Sequence, residues 1–332
     1  MSSHRAKILV VGSLVMDMIT ATERFPDRGA TVLGSTFSTA PGGKGANQAV
    51  QAAKLGAEVT MFGKVGRDAF GDTLLSAMES AGVDTSWIAR STAPTATGNI
   101  ILTQKDGATL HNRIIVVPGA NMDWTAEDVA PLAENIEQYD MVMLQLEIPM
   151  EINRLVVDYA FQKGVPVMLN PAPIADIPEE MLRKLTYLSP NETEAAALLG
   201  VSVREEGSAL SPEDRAAICD AARTKGLSGL LVTLGDAGAM LVTENSVVYQ
   251  PCVENVCMVD PTAAGDSFVA AFCAARCWGL DEADALLFAN HTAAITVSGM
   301  GAMPSLPALE QVLKLMDERK TGTSVMARLR EV

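Results

Sequence analysis

The sequence predicts an α/β protein, with a mainly parallel sheet covered by helices on both faces and a small second sheet beside it. Two observations carry this. Short β-branched or apolar runs alternate with Ala-rich segments of helical length, the rhythm of parallel strands joined by crossover helices. Two stretches, 30–39 (ATVLGSTFST) and 98–117 (GNIILTQKDGATLHNRIIVV), read as strands without partner helices, as an inserted sheet would. No internal repeat, low-complexity tract or long linker breaks the 332 residues, and 48% hydrophobic content supplies one large core.

In order, Lys7–Val11 (KILVV) reads as a buried strand, 46–55 as a helix, 59–62 as a strand and 70–81 as a helix. Further strands are expected at 141–144, 165–169 and Gly229–Thr233, with a short one at 187–189. Helices are expected near 151–162, Glu192–Leu199, 212–224, 266–278 and 282–297. In the second inserted stretch, Lys105-Asp106-Gly107 between apolar runs signals a hairpin. The single unit spans 6–318, and the polar tail 319–332 is left unassigned.

Composition excludes several function classes. A net charge of −15 opposes nucleic acid or an anionic membrane as a partner, because both need clustered Lys and Arg. One local positive pocket still suffices for an anionic substrate. The five cysteines (Cys219, Cys252, Cys257, Cys273, Cys277) form no CxxC pair, so they read as small core thiols rather than zinc ligands. His4, His111 and His291 form neither a triad nor a metal spacing. The only N-terminal apolar run is too short for a signal h-region or a membrane span, and the expected location is cytoplasmic.

The segment Asp260-Pro261-Thr262-Ala263-Ala264-Gly265-Asp266 carries the most chemistry. Small residues open a helix here, so unpaired N–H groups and the positive end of the helix dipole make an anion site. Asp266 lies in the first turn, a base placed beside whatever anion the amides hold, which suits phosphoryl transfer. A helix cap with a permissive glycine accounts for the same residues about as well. A second cluster, Gly42-Gly43-Lys44-Gly45-Ala46-Asn47-Gln48, also enters a helix without P-loop spacing. Glycines that bring backbone close to a polyol, with donors from Lys44 and Asn47, suit a sugar pocket, and a plain helix entry is the competing reading. Asp17 after the first strand and Glu147 after 141–144 sit where parallel sheets bind ligands. Asn191 and Glu194 share a helix face, fit either to order magnesium waters or to form a capping box. Thr233-Leu234-Gly235-Asp236-Ala237-Gly238 reads as a nucleotide-contacting loop.

Together these pieces resemble the ribokinase family, also called the phosphofructokinase B family of carbohydrate kinases. The resemblance runs from about Ile8 to Met316 and rests on GGKGANQA and DPTAAGD, with LQLE, NPAP, PNETE, TLG and GMGAMPS in order between and after them. It implies a Rossmann-like body with a small β-sheet lid from about 16–40 and 97–117, pairing with a second copy as a homodimer. It also implies an ATP-dependent kinase of a small sugar. Asp266 would be the base, with Ala263, Ala264 and Gly265 as the backbone anion hole. Asp17, Gly43, Lys44, Asn47 and Glu147 would line the sugar pocket. Asn191, Thr233, Gly235, Gly238, Gly265 and Asn290 would contact ATP, and Glu194 would place Mg²⁺ through water. A K⁺ loop would comprise Asp260, Thr262, Thr296, Gly299, Gly301 and Ser305.

Two departures bear on substrate. Val15 stands where the family pattern has an Asn for a ribose hydroxyl, which weakens discrimination for that hydroxyl and raises 2-deoxyribose beside ribose. Asn99, in the presumed lid strand, is a candidate replacement donor. Pro261 inside the cation motif removes an N–H but leaves the carbonyls. A nucleoside or hexose kinase fits the catalytic end equally well, though GGKGANQ and LQLE favour a small free sugar. A non-catalytic sensor would need a broken catalytic end, and an oxidoreductase would need GxGxxG after the first strand, which Gly12-Ser13-Leu14-Val15 does not supply.

Overall fold

The computed structural model describes residues 5–105, 108–200, 203 and 210–329. Residues 106 and 107 of the expected hairpin turn, His4 and the last three residues of the tail lie outside them. The strands are β1 (Lys7–Val11), β2 (Val15–Thr22), β3 (Gly34–Gly42), β4 (Glu58–Gly66), β5 (Asp84–Ser91), β6 (Ala96–Lys105), β7 (Ala108–Val117), β8 (Met141–Gln145), β9 (Val167–Asn170), β10 (Tyr187–Leu188), β11 (Gly229–Thr233), β12 (Ala239–Thr243) and β13 (Val247–Gln250). The helices are α1 (Lys44–Lys54), α2 (Ala69–Ser80), α3 (Ala126–Val129), α4 (Leu132–Asn135), α5 (Met150–Lys163), α6 (Glu179–Leu182), α7 (Glu192–Leu199), α8 (Pro212–Lys225), α9 (Ala264–Cys277), α10 (Glu282–Thr296), α11 (Leu309–Glu318) and α12 (Thr323–Leu329).

Nine strands form the main sheet in the order β13-β12-β11-β10-β9-β8-β1-β4-β5. All neighbours from β11 to β5 run parallel, and β12 and β13 add antiparallel at one edge. Strand β1 shows why a continuous apolar run marks such a sheet. Ile8 and Val10 enter the core shared with α1, α9 and α10, whereas Leu9 and Val11 enter the core shared with α5 and α8. Ala46, Ala49 and Ala52 of α1 are fully buried, as are Ala270, Ala271, Ala274 and Ala275 of α9. Short side chains let these helices approach closely, which sets the beginning of α9 beside the beginning of α1.

The second sheet has the order β3-β2-β6-β7, so the two inserted stretches pair through β2. Strand β2 falls within the 16–40 span that the family resemblance implies, but the residue pattern alone does not mark it, because its mixed run MDMITA alternates weakly. Strand β3 runs on through Pro41 to Gly42, and its edge position tolerates the missing N–H. The tail also holds more structure than its composition signals: Val325, Met326 and Leu329 of α12 are buried in the main core. Strand β1 pairs β4 on one side and β8 on the other, and its end opens into the small sheet. That split between neighbouring strands leaves a crevice at their carboxyl ends, where side chains from β8, α1 and β2 converge.

Candidate active site

Helix α9 opens on an alanine in the left-handed region, Ala263 at φ 62° and ψ 9°. The turn before it is tied by Asp260, whose Oδ1 accepts from the Thr262 N–H at 2.9 Å and the Thr262 hydroxyl at 2.6 Å. The Ala264 N–H turns back onto the Pro261 carbonyl at 3.2 Å, and the next bond of the ladder runs from Ser267 N–H to the Ala263 carbonyl at 2.8 Å. Between them, the N–H groups of Ala263, Gly265 and Asp266 have no backbone acceptor among the described residues. Of the expected donors, Ala264 is engaged in the turn, while those of Ala263 and Gly265 stand open, with the Asp266 N–H beside them.

Asp266 itself is 6% exposed. Its two carboxylate oxygens are gripped by consecutive residues of α1: Asn47 Nδ2 donates to Oδ2 at 2.9 Å and Gln48 Nε2 to Oδ1 at 3.2 Å. Gln48 in turn accepts from Gln145 Nε2 of β8 at 2.7 Å. The Lys44 ammonium lines the same cavity, and its pKa is raised. The nearby Asp266 carboxylate is the main cause, burial opposes it, and Glu147 and Glu194 add to it. Lys44 thus lies within reach of three carboxylates, those of Asp266, Glu147 and Glu194.

Toward the small sheet, Glu147 Oε2 accepts from the Ser13 hydroxyl and from the Lys44 N–H, the latter at 3.0 Å. Asp17 projects from β2 between glycines: a β-carbon on Gly42 or Gly98 would stand 2.5 or 2.4 Å from one of its oxygens. Burial, with the Glu147 charge adding, pushes the Asp17 carboxyl up to about 6. Val15 lies on the same face of β2, 5% exposed and packed near Gly43 and Gly98. Gly43 needs its φ of 94°, and a side chain there would meet the Val15 N–H at 2.8 Å. Asn99 is corrected. Strand β6 aligns Gly98 with Asp17 and Asn99 with Met18, so Asn99 sits on the opposite face, where its amide reaches the Ile115 carbonyl at 3.5 Å. Ile100, aligned with Ile19, holds the pocket-side position.

Two cavities meet at the start of α9. The larger, about 680 Å³, is walled by Asn191, Thr233, Gly235, Gly238, Gly265 and Asn290, all expected from the sequence, and by Thr193 and Phe268, which were not. The smaller, about 220 Å³, shares Asn191, Thr233, Ala264 and Gly265 with it and continues to Lys44, Glu194 and Asp266. Asn290 spends its amide hydrogens on the Gln250 and Pro251 carbonyls at 3.2 and 3.0 Å, so it fixes the wall behind the cavity. Asn191 and Glu194 form the capping box: Glu194 N–H donates to Asn191 Oδ1 at 2.8 Å and Asn191 N–H to Glu194 Oε2 at 2.9 Å. Burial raises the Glu194 carboxyl, partly offset by the Asn191 N–H and Lys44. Behind α9, Asp260 Oδ2 accepts from the Gly301 N–H at 2.9 Å, joining the two halves of the expected cation loop. Burial raises the Asp260 carboxyl, and the bonds from Thr262 and Gly301 outweigh it, leaving it low. Thr296, Gly299 and Ser305 are brought to the same loop: the Thr296 carbonyl accepts from the Gly299 N–H, and a β-carbon on Gly299 would stand 2.7 Å from that of Ser305.

Sequence reasoning passed over Ser13, Gln48 and Gln145. A signal was present for Gln145, since a carboxamide inside MVMLQL is the one polar side chain in an otherwise apolar buried strand.

A family model described as pfkB family carbohydrate kinase matches residues 5–309. The chain is 39% identical over 310 residues to a ribokinase of Bacillus subtilis, covering 93% of this chain and 99% of that one. It is 33% identical over 308 residues to a deoxyribokinase of Salmonella typhi, covering 92% and 96%. Among solved structures, ribokinase of Arabidopsis thaliana complexed with ribose and ATP superposes with a TM-score of 0.84 at 34% identity, covering 94% of this chain and 99% of that one. The match spans body, small sheet and the start of α9 alike, and the chain belongs to the pfkB family of carbohydrate kinases as an ATP-dependent sugar kinase.

Proposed function

We propose that the enzyme transfers the γ-phosphoryl group of ATP to the primary hydroxyl of a pentose, D-ribose first, giving ribose 5-phosphate. The observation that carries this reading is the place of Asp266: buried, oriented by α1, and set where the two cavities meet beside the open N–H groups of Ala263 and Gly265. ATP would lie along the larger cavity with its terminal phosphate at the start of α9. The sugar would lie under the small sheet, held by Asp17, Asn47 and Glu147. Asp266 would then take the hydroxyl proton as the oxygen attacks, and the helix N–H groups with Lys44 would balance the charge on the transferred group. Mg²⁺, when bound beside Glu194, would neutralise phosphate charge. K⁺ suits the hard oxygen donors of Asp260 and the carbonyls of Thr262, Thr296, Gly299 and Gly301, with Ser305 beside them, and would stiffen the turn that carries Ala263.

Val15 favours a second reading, phosphorylation of 2-deoxyribose, because an apolar side chain stands on the sugar face where a hydroxyl would want a partner. A homodimer through the small sheet is supported by Phe37, Ile115 and Val117, which are 66%, 64% and 46% exposed on the sheet face away from Asp17.

The test is kcat/KM for ribose and 2-deoxyribose side by side, with ATP, Mg²⁺ and saturating K⁺, for the wild type and Asp266→Asn. Ribose is expected to lead, and Asp266→Asn to lose about 10²–10⁴-fold in kcat while still binding ATP. A lead for 2-deoxyribose establishes the second reading, and near-normal turnover in the variant removes Asp266 from the base role.

A further inference from the structure

We propose that Gln48 and Gln145 form a buried carboxamide relay that positions Asp266, so that turnover depends on Gln145, a residue lining neither cavity. Both side chains are fully buried, 0% exposed, and they join β8 to α9 through α1. Gln48 donates Nε2 to Asp266 Oδ1 at 3.2 Å and accepts Gln145 Nε2 on its own Oε1 at 2.7 Å. A carboxamide has one donating and one accepting end, and only the donating end attracts a carboxylate. Gln145 enforces that choice. With its nitrogen on Gln48 Oε1, Gln48 has its NH₂ left for Asp266. Were Gln145 reversed, two oxygens would face each other and Gln48 would turn its oxygen toward the base.

Gln145 holds this orientation at a penalty. Its own Oε1 is buried with no hydrogen-bond partner among the described residues, as are Asn47 Oδ1 and Asn153 Oδ1 beside it. That oxygen occupies the space of the β-carbon Gly12 lacks, 2.0 Å from where the carbon would stand. A fully buried, unpaired acceptor is rare in folded proteins and is retained where an arrangement serves something besides stability. The anchors at both ends are polar as well. Asn153 Nδ2 holds the Gln145 carbonyl at 2.9 Å, and Asn170 offers Oδ1 to Gln48 Nε2 at 3.4 Å while its own amide is fixed on the Ser189 carbonyl at 2.9 Å. Leucines of similar size would fill the same space with no polar groups to satisfy. The relay therefore reads as orientation of a carboxylate that must meet a substrate hydroxyl with a free lone pair.

The inference rests on Asp266 being the base, and one experiment separates the two. Steady-state kcat and the KM values for ATP and sugar, each substrate varied with the other saturating, are measured from about pH 5.5 to 9 for the wild type, Asp266→Asn, Gln48→Leu and Gln145→Glu. Gln48→Leu is expected to lower kcat by about tenfold or more, with the KM values for ATP and sugar within about twofold. Gln145→Glu is the sharper probe, because it keeps the shape. While the introduced carboxyl is protonated it donates to Gln48 and sustains turnover. As it ionises, Gln48 turns round and kcat falls by about tenfold relative to the wild-type profile. A kcat within about twofold of wild type in Gln48→Leu, or a loss carried by KM alone, overturns the relay while an inactive Asp266→Asn leaves the base in place. Near-normal turnover in Asp266→Asn overturns both. If Gln48→Leu does not fold, the Gln145→Glu profile decides, and one parallel to wild type refutes the relay.

Discussion

Asp17, proposed to hold the sugar, is buried in a position that folding does not favour. Burial and Glu147 raise its carboxyl from 3.8 to about 6, so between those values the folded protein binds a proton that the unfolded chain has released. Stability therefore falls as pH rises through that window, by about 3 kcal/mol at most. Asp17→Asn is expected to raise Tm at pH 7.5 by about 2–6 °C, with the gain gone near the unfolded value, and to raise the sugar KM strongly. Scanning calorimetry at two pH values checks the sign, and an unchanged Tm at pH 7.5 refutes the penalty. In the wild type the sugar KM is expected to rise as pH drops below about 6, because protonation removes an acceptor. Val15 is the second residue to which the proposed function gives a role. Val15→Asn is expected to shift preference toward ribose by about 5–100-fold, the worth of about 1–3 kcal/mol for pairing one buried hydroxyl. An unchanged ribose to 2-deoxyribose ratio would show that Val15 does not read that position.

At the scale of elements, α9 and the small sheet make the site together. Small residues let α9 start tightly against α1, and the left-handed Ala263 leaves N–H groups uncommitted. The small sheet hangs from the end of β1 with Asp17 on one face, where the proposed function puts the sugar. On its other face, apolar side chains as exposed as Phe37 and Ile115 form a patch that a second copy would cover. Ile115→Asp is expected to convert a dimer into monomers in sedimentation velocity, with a secondary rise in sugar KM; a wild-type chain that sediments as a monomer would dispose of the dimer. Many of these elements were legible from apolar runs alternating with Ala-rich segments of helical length, as at β1, α1 and α9. The exceptions have physical reasons. β2 is held by neighbours on both sides rather than by its own pattern, and β12 and β13 are short strands that add antiparallel beyond β11, with β13 at the edge.

The whole molecule adds what no segment contains. Helix α12 belongs to a tail that composition alone left unassigned, yet Val325, Met326 and Leu329 bury in the main core. Deleting 322–332 is expected to cost about 3–8 kcal/mol and to lower Tm by well over 5 °C, leaving kcat at low temperature intact. A truncated chain with the wild-type Tm would show that the tail does not dock. The sequence by itself determined the fold class, the glycine-bearing entrances to α1 and α9, and the two acids after β1 and β8. Those follow from local chemistry: strand ends, helix starts and small residues announce themselves within a few positions. Only the tertiary structure decided that Ala264 closes a turn, that Asn99 faces away from Asp17, and that Gln145 reaches Asp266 through Gln48. Each depends on which face a strand presents and which distant amide an oxygen meets, and a buried polar side chain acquires its partner only when separate elements pack.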